Sequence, residues 1–200
     1  MNQRIKVTVP PIVEPVSTAD AKSFLRVTGS QDDTLIDDMV KAARQYIENQ
    51  TKRALISQTL EMVCDGFPAS RFIYLERATP LVSVTSIDYL DSAGASQTLS
   101  SSKYTVDTYS TPGRVSLKEG QTWPTTDNDI NTVTITYVAG SANVAALENS
   151  YFDLVQCIKA LVASWFENRE SFVTMPGISG IDIPDTVTSI INQYRVHKWQ

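Results

Sequence analysis

Residues 32–55, DDTLIDDMVKAARQYIENQTKRAL, set Leu35, Ile36, Met39, Val40, Ala43, Tyr46 and Ile47 at steps of three and four. That spacing gathers side chains into one stripe along an α-helix. Such a stripe is stable only against another apolar surface, because isolated helices are marginal in water. The sequence neighbours do not supply a long one. Ser17 or Thr18 caps a short helix running to Leu25, and Thr28-Gly29-Ser30 breaks it. The next broad stripe comes only at Phe152, Val155, Ile158, Leu161, Val162, Trp165 and Phe166. A last helix is predicted from Asp185 to about Val196, with Pro184 in its first turn. The chain must therefore leave the first helical pair, travel, and return to bury it.

The intervening texture is that of strands. SQTLEMVCDGF and RFIYLE are strand-like. In LVSVTSIDYL, Val82 and Val84 fall on one face and Ile87 and Tyr89 on the other, so a β-bulge near Thr85-Ser86 must absorb the slip. KYTVDTYSTPGRVSL reads as two short strands about a Pro112-Gly113 bend. TVTITYV alternates, with Val133, Ile135 and Tyr137 turned inward. At the other end of the chain, Pro10, Pro11 and Pro15 forbid a helix and read as an extended arm. The predicted fold class is α+β. A four-helix body, residues 1–55 plus 145–200, carries an inserted antiparallel β subdomain, residues 56–144. Leu35, Met39, Tyr46, Ile158, Trp165 and Phe166 are the expected core anchors.

Composition narrows the function classes. At 200 residues, 42% hydrophobic and 20% charged, the chain has enough interior for a real core. The net charge is −5, and no Lys/Arg cluster offers a grip on nucleic acid. Cys64 and Cys157 lie far apart among apolar neighbours, with no CxxC or Cys/His grouping, so buried thiols are expected and zinc is not. No stretch approaches a membrane span, and the first residues lack the apolar core of a signal peptide.

The candidate chemistry is thin. Asp32, Asp33, Asp37 and Asp38 are the densest carboxylates, and Asp33 and Asp37 share a helix face. They lack a third, distinct ligand and any EF-hand spacing, so dipole stabilisation and an Asp37–Lys41 pair explain them better than a metal. His197 stands near the chain end without a GxSxG elbow elsewhere, which leaves no Ser-His-Asp constellation. GxGxxG and P-loop patterns are absent, and no cofactor is implied. Trp123 and Trp165 read as packing residues. Glu167, Arg169 and Glu170 form a charged knot after Trp165-Phe166; the reading is a helix exit, with Arg169 facing the negative helix end, or a subunit contact.

One resemblance runs through nearly the whole chain. It is carried, in order, by VEPVSTADAKSFLRV, the residue 32–55 helix, a β segment with GRVSL and WP, ITYVAG, an apolar helix ending in WFENRE, and IPDTVTSIINQYRV. This series resembles the bacteriophage head-to-tail connector, or adaptor, family of long-tailed phages. The resemblance implies a structural virion protein and no enzyme. It implies a homo-oligomeric, dodecameric ring beneath the portal protein that extends the DNA channel and offers a platform to a neck, stopper or tail-completion protein. DNA would pass without specific binding. The protein would be made in the host cytoplasm and reside in the head–tail neck, with no membrane partner.

The last segment fits such a role. Val187, Ile190, Ile191 and Tyr194 make an i, i+3, i+4, i+7 stripe, followed by Arg195, His197, Lys198 and Trp199. Arg and Trp commonly anchor interfaces. Residues 171–200 are thus the expected portal-docking element, with Val187, Ile190, Ile191, Tyr194, Arg195 and Trp199 at the contact; the competing reading packs the helix on its own subunit. Two other functions stay open on the residues alone. A carbohydrate- or receptor-binding module on the β subdomain requires an exposed aromatic platform. A small acidic-site hydrolase requires a pocket with converging Asp or Glu.

Overall fold

The computed structural model describes residues 3–168 and 183–196. The chain divides into two compact units, Met1–Pro11 with Ser57–Ser141 and Ile12–Ile56 with Ala142–Gln200. Its class is α+β, with four helices of more than one turn and antiparallel sheets among the described residues.

The second unit is helical. Helix α1 is Thr18–Leu25, and Ser17 caps it by accepting the Asp20 N–H at 3.1 Å. Arg26 ends it in the left-handed region (φ 58°), ahead of the predicted Thr28-Gly29-Ser30 break. Helix α2 is Asp33–Thr51 and stops at Lys52, also left-handed. Asp32 gives no side-chain cap to it; Asp33 instead pairs with Lys22 at 2.6 Å, joining α1 to α2. Helix α3 is Val144–Glu167, capped by Asn143, which accepts the Ala146 N–H at 2.8 Å. Helix α4 is Asp185–Tyr194.

The stripes meet as the periodicity requires. Ile36, Met39, Val40, Ala43 and Ile47 from α2 share a core with Leu154, Val155, Ile158, Leu161, Val162 and Trp165 from α3. Leu35, Tyr46 and Phe166 pack against it while partly buried. Phe152 departs from expectation and is 57% exposed. Tyr151 has non-helical angles (φ −143°, ψ 44°) and kinks α3, which puts Leu147 in the core and turns Phe152 outward.

The first unit is built of eight strands in two antiparallel sheets. Strands β1 (Gln3–Val9), β2 (Gln58–Cys64), β8 (Val133–Ala139), β4 (Leu81–Leu90) and β5 (Ser96–Thr98) form one sheet in that spatial order. Strands β3 (Phe72–Tyr74), β7 (Arg114–Leu117) and β6 (Tyr104–Asp107) form the other. Every second residue of β2 and β8 is buried, among them Leu60, Met62, Cys64, Val133, Ile135 and Tyr137. Ile73, Val115 and Leu117 supply the buried side of the smaller sheet. The predicted slip in β4 is present as a register shift between Val84 and Ser86, and a second shift lies between Leu81 and Ser83. Gly113 is required at the bend, since a Cβ there would lie 2.4 Å from the Leu81 Cβ.

The amino-terminal residues correct the sequence reading. Residues 1–11, expected in the helical body, belong to the β unit, where Gln3–Val9 is an edge strand paired with β2 from Gln3↔Cys64 to Val7↔Leu60. The alternation of RIKVTV carries the strand, and Pro10, which has no N–H to donate, ends it.

Because Trp165 is only 5% exposed within the shared core, Trp165→Ala is expected to destabilise the protein by about 3–5 kcal/mol. Thermal unfolding checks this; an unchanged melting temperature would remove Trp165 from the core.

Candidate functional site

Two arginines organise the helical unit. Arg44 and Glu48 stand one turn apart on α2 and are almost wholly buried. Arg44 donates from Nη1 to Glu48 at 2.8 Å, and from Nε and Nη2 to the two Glu14 oxygens at 2.6 and 3.2 Å. The other Glu48 oxygen accepts the Leu55 N–H at 2.9 Å. Burial alone would weaken the Arg44 charge, but the Glu14 hydrogen bond and the Glu48 and Glu14 charges outweigh it and hold the guanidinium above its ordinary range. The group therefore fixes the chain near Ile12, where it enters this unit, and near Ile56, where it leaves.

Arg53, just past α2, does the same for the chain end. Its Nε donates to the Tyr194 carbonyl at 2.7 Å and its Nη1 to the Tyr151 hydroxyl at 3.2 Å. The guanidinium also lies over both rings, 5.3 Å from the Tyr151 centroid and 5.9 Å from that of Tyr194. Beyond α4, the Val196 N–H donates to Thr51 O at 2.9 Å. The kink at Tyr151 thus has a use: it sets the phenol where Arg53 and Tyr194 meet it.

The residues singled out for docking divide into three groups. Val187 and Ile191 are buried in the helical core, so their side chains hold α4 on its own subunit. Ile190 and Tyr194 are half-buried, and Arg195 is exposed. Trp199 lies outside the described residues, as do His197 and Lys198. Of the charged knot, Glu167 is exposed on the last turn of α3, while Arg169 and Glu170 lie outside the described residues. Sequence reasoning missed Arg44, Glu48 and Glu14. The signal was there: Arg44 stands four residues past Val40 and Glu48 four past Arg44, inside the buried stripe.

The acidic run of α2 does not converge. Asp33 pairs with Lys22, Asp37 accepts from the Thr18 hydroxyl, and Asp38 is exposed. No group of three His, Cys, Asp or Glu able to hold a metal occurs among the described residues. Burial pushes the Cys64 and Cys157 thiols up to about 11, away from the reactive thiolate.

An open cavity of about 660 Å³ in the β unit is lined by Phe67, Trp123, Pro124, Asp65, Asp127 and Asp129 among others. Phe67 stacks on Trp123 at 4.9 Å and 4°, and the indole N–H donates to Ser70 O at 2.8 Å. One face of the indole is thus covered from within. Asp65 is held by Arg4 and the Asn131 N–H, while Asp127 and Asp129 accept amides of their own loop. These contacts serve loop structure. The unit's exposed apolar residues include Val7 and Val9 on β1 and Tyr109 at the β6–β7 turn.

A comparison with protein families matches residues 15–197 to the family described as head completion protein. Among solved structures, the neck of an empty gene transfer agent particle computed with C6 symmetry superposes with a TM-score of 0.76 at 22% identity, covering 100% of this chain and 98% of that one. The neck of a native particle computed with C12 symmetry gives 0.74 at 21%, covering 100% and 98%. The virion of the native particle gives 0.73 at 22%, covering 98% and 97%. At these identities the structures establish a shared fold. Curated protein sequences gave no match.

Removing one partner from a buried ionic group strands the other. Arg44→Ala is expected to cost about 3–5 kcal/mol in urea unfolding, because it leaves Glu48 buried and uncompensated. An unchanged midpoint would mean that the group does not position the chain.

Proposed function

The chain belongs to the head completion protein family, and from that premise we propose that it is a structural subunit of the phage head-to-tail connector. It resides in the virion neck, extends the DNA channel below the head, and gives the next neck protein a platform. The family match over residues 15–197 carries this reading. The symmetric necks that share its fold support repetition around an axis as a ring. Its charge suits a conduit for DNA. At −5 with its cations spread and no Lys/Arg cluster, the chain offers no basic patch to grip phosphates, so DNA can slide past. The role is assembly, with no chemical step assigned to any residue.

The portal protein is the partner we assign to the chain end. Arg53 and the Val196–Thr51 bond hold α4 in place, so residues beyond Val196 start from a fixed point. Arg195 and the exposed edges of Ile190 and Tyr194 lie beside that point. Trp199 adds the residue type most used as an interface anchor. Val187 and Ile191 take part by keeping the helix seated. We also read residues 57–141, with the first eleven, as a subdomain whose main part is inserted in sequence between the two halves of the helical unit.

A chain ending at Val196, and separately Arg195→Ala, is expected to stay folded. Both should fail to bind portal-bearing capsids and give filled heads without tails. Normal tail joining by both variants would place the docking surface elsewhere. Normal virions in the absence of the whole chain would overturn the connector reading itself.

A further inference from the structure

Copies repeated about a ring axis meet through two different surfaces, one on each flank. The β unit has two such flanks of opposite character. Its five-stranded sheet runs β1-β2-β8-β4-β5, so β1 and β5 each leave one row of backbone groups unpaired by the sheet. Strand β1 carries Arg4 and Lys6 and no acid. The hairpin from Asp88 to Thr98 carries Asp88 and Asp91 and no cation.

The pairing register puts Arg4, Lys6 and Asp88 on one face, while Asp91 lies just past the end of β4. Arg4 aligns with Val63, Thr134, Asp88 and Thr98 in a single row across the sheet. Lys6, two residues along β1, points the same way. Arg4 is already engaged by Asp65, whereas Lys6, whose register partner on β2 is Glu61, is exposed and makes no ion pair among the described residues. Asp88 accepts hydroxyls from Ser86 at 2.7 Å and Thr98 at 2.5 Å; Asp91 accepts the Ala93 and Ala95 amides at 2.9 and 3.0 Å. Neither carboxylate has an ion-pair partner among the described residues. On β1, Val7 and Val9 are 36% and 53% exposed, an apolar contribution that an edge kept only for solvent does not need.

We propose that the ring contact is made edge to edge, β1 of one copy docking against the β4–β5 edge of the next, with Lys6 facing Asp88. This rests on the ring reading above and names the surface that closes it. Four antiparallel steps separate β1 from β5, so the two edges run in the same direction. Copies turned about an axis along the strands then meet as a parallel pair. Edge lysines, bulges and prolines also guard free strands against random pairing. Here the lysine meets a matching acidic edge, so it admits one partner in one orientation while refusing others.

The test uses particles carrying the chain with Lys6→Cys and Ser96→Cys, whose side chains share the face of Asp88. Cys64 and Cys157 are buried and do not compete. Mild oxidation of the double variant should give a ladder of covalent multimers on a non-reducing gel, and neither single variant should. In parallel, Lys6→Glu should lower incorporation into particles by about tenfold, and added Ser96→Lys should restore it. A double variant present in particles without a ladder overturns this contact and leaves the ring reading standing. Cross-linking by Lys6→Cys alone would mean two-fold contact of β1 with itself, which also overturns it. Wild-type chain absent from particles would sink the connector reading, and this proposal with it.

Discussion

The Arg44 guanidinium, held between Glu48 and Glu14, is the constraint on which the helical unit depends. It is buried with Glu48, and the desolvation of such a pair usually offsets much of its attraction. Its value is therefore in placement. Each contact has a distinct address: Glu14 lies just inside the start of the unit, and Leu55, bound by Glu48, just inside the exit of its first half. A hydrocarbon group of similar volume could fill the same space but could not specify where two strands of chain pass. Arg53 repeats the logic at the carboxyl end, using one carbonyl, one hydroxyl and two aromatic faces to seat α4.

The β unit solves a different problem. Its interior is ordinary alternation, with Leu60, Met62, Ile135 and Tyr137 filling the space, and the Tyr137 hydroxyl reaching the Glu76 carbonyl. What remains outside is a sheet with β1 and β5 at its two edges. The helical unit fixes its termini through two arginines.

Much of this was legible in the sequence, and the failures have physical causes. The α2 and α3 stripes and the bulge in β4 follow from periodicity, because burial enforces 3.6- and 2-residue repeats over many positions. The first strand was obscured by the prolines that follow it, although they only terminate it. Phe152 was misplaced because it adjoins the kink at Tyr151, and the buried stripe of α3 resumes only at Leu154. The Arg44 group escaped since polar residues inside an apolar stripe read as interruptions, when their i, i+4 spacing is that of a buried pair. The docking stripe was legible as a helix face, but which surface it meets is decided by tertiary packing, and Val187 and Ile191 turn into their own core.

The central claim is that this chain repeats around the DNA channel at the junction of head and tail. The most direct measurement is an electron cryo-microscopy reconstruction of the particle neck, made without imposing the symmetry order. The account predicts density for both the helical and β units, repeated in a ring about the channel between portal and tail. Density for this chain at the tail tip or on the capsid surface, or a single asymmetric copy at the neck, would contradict it.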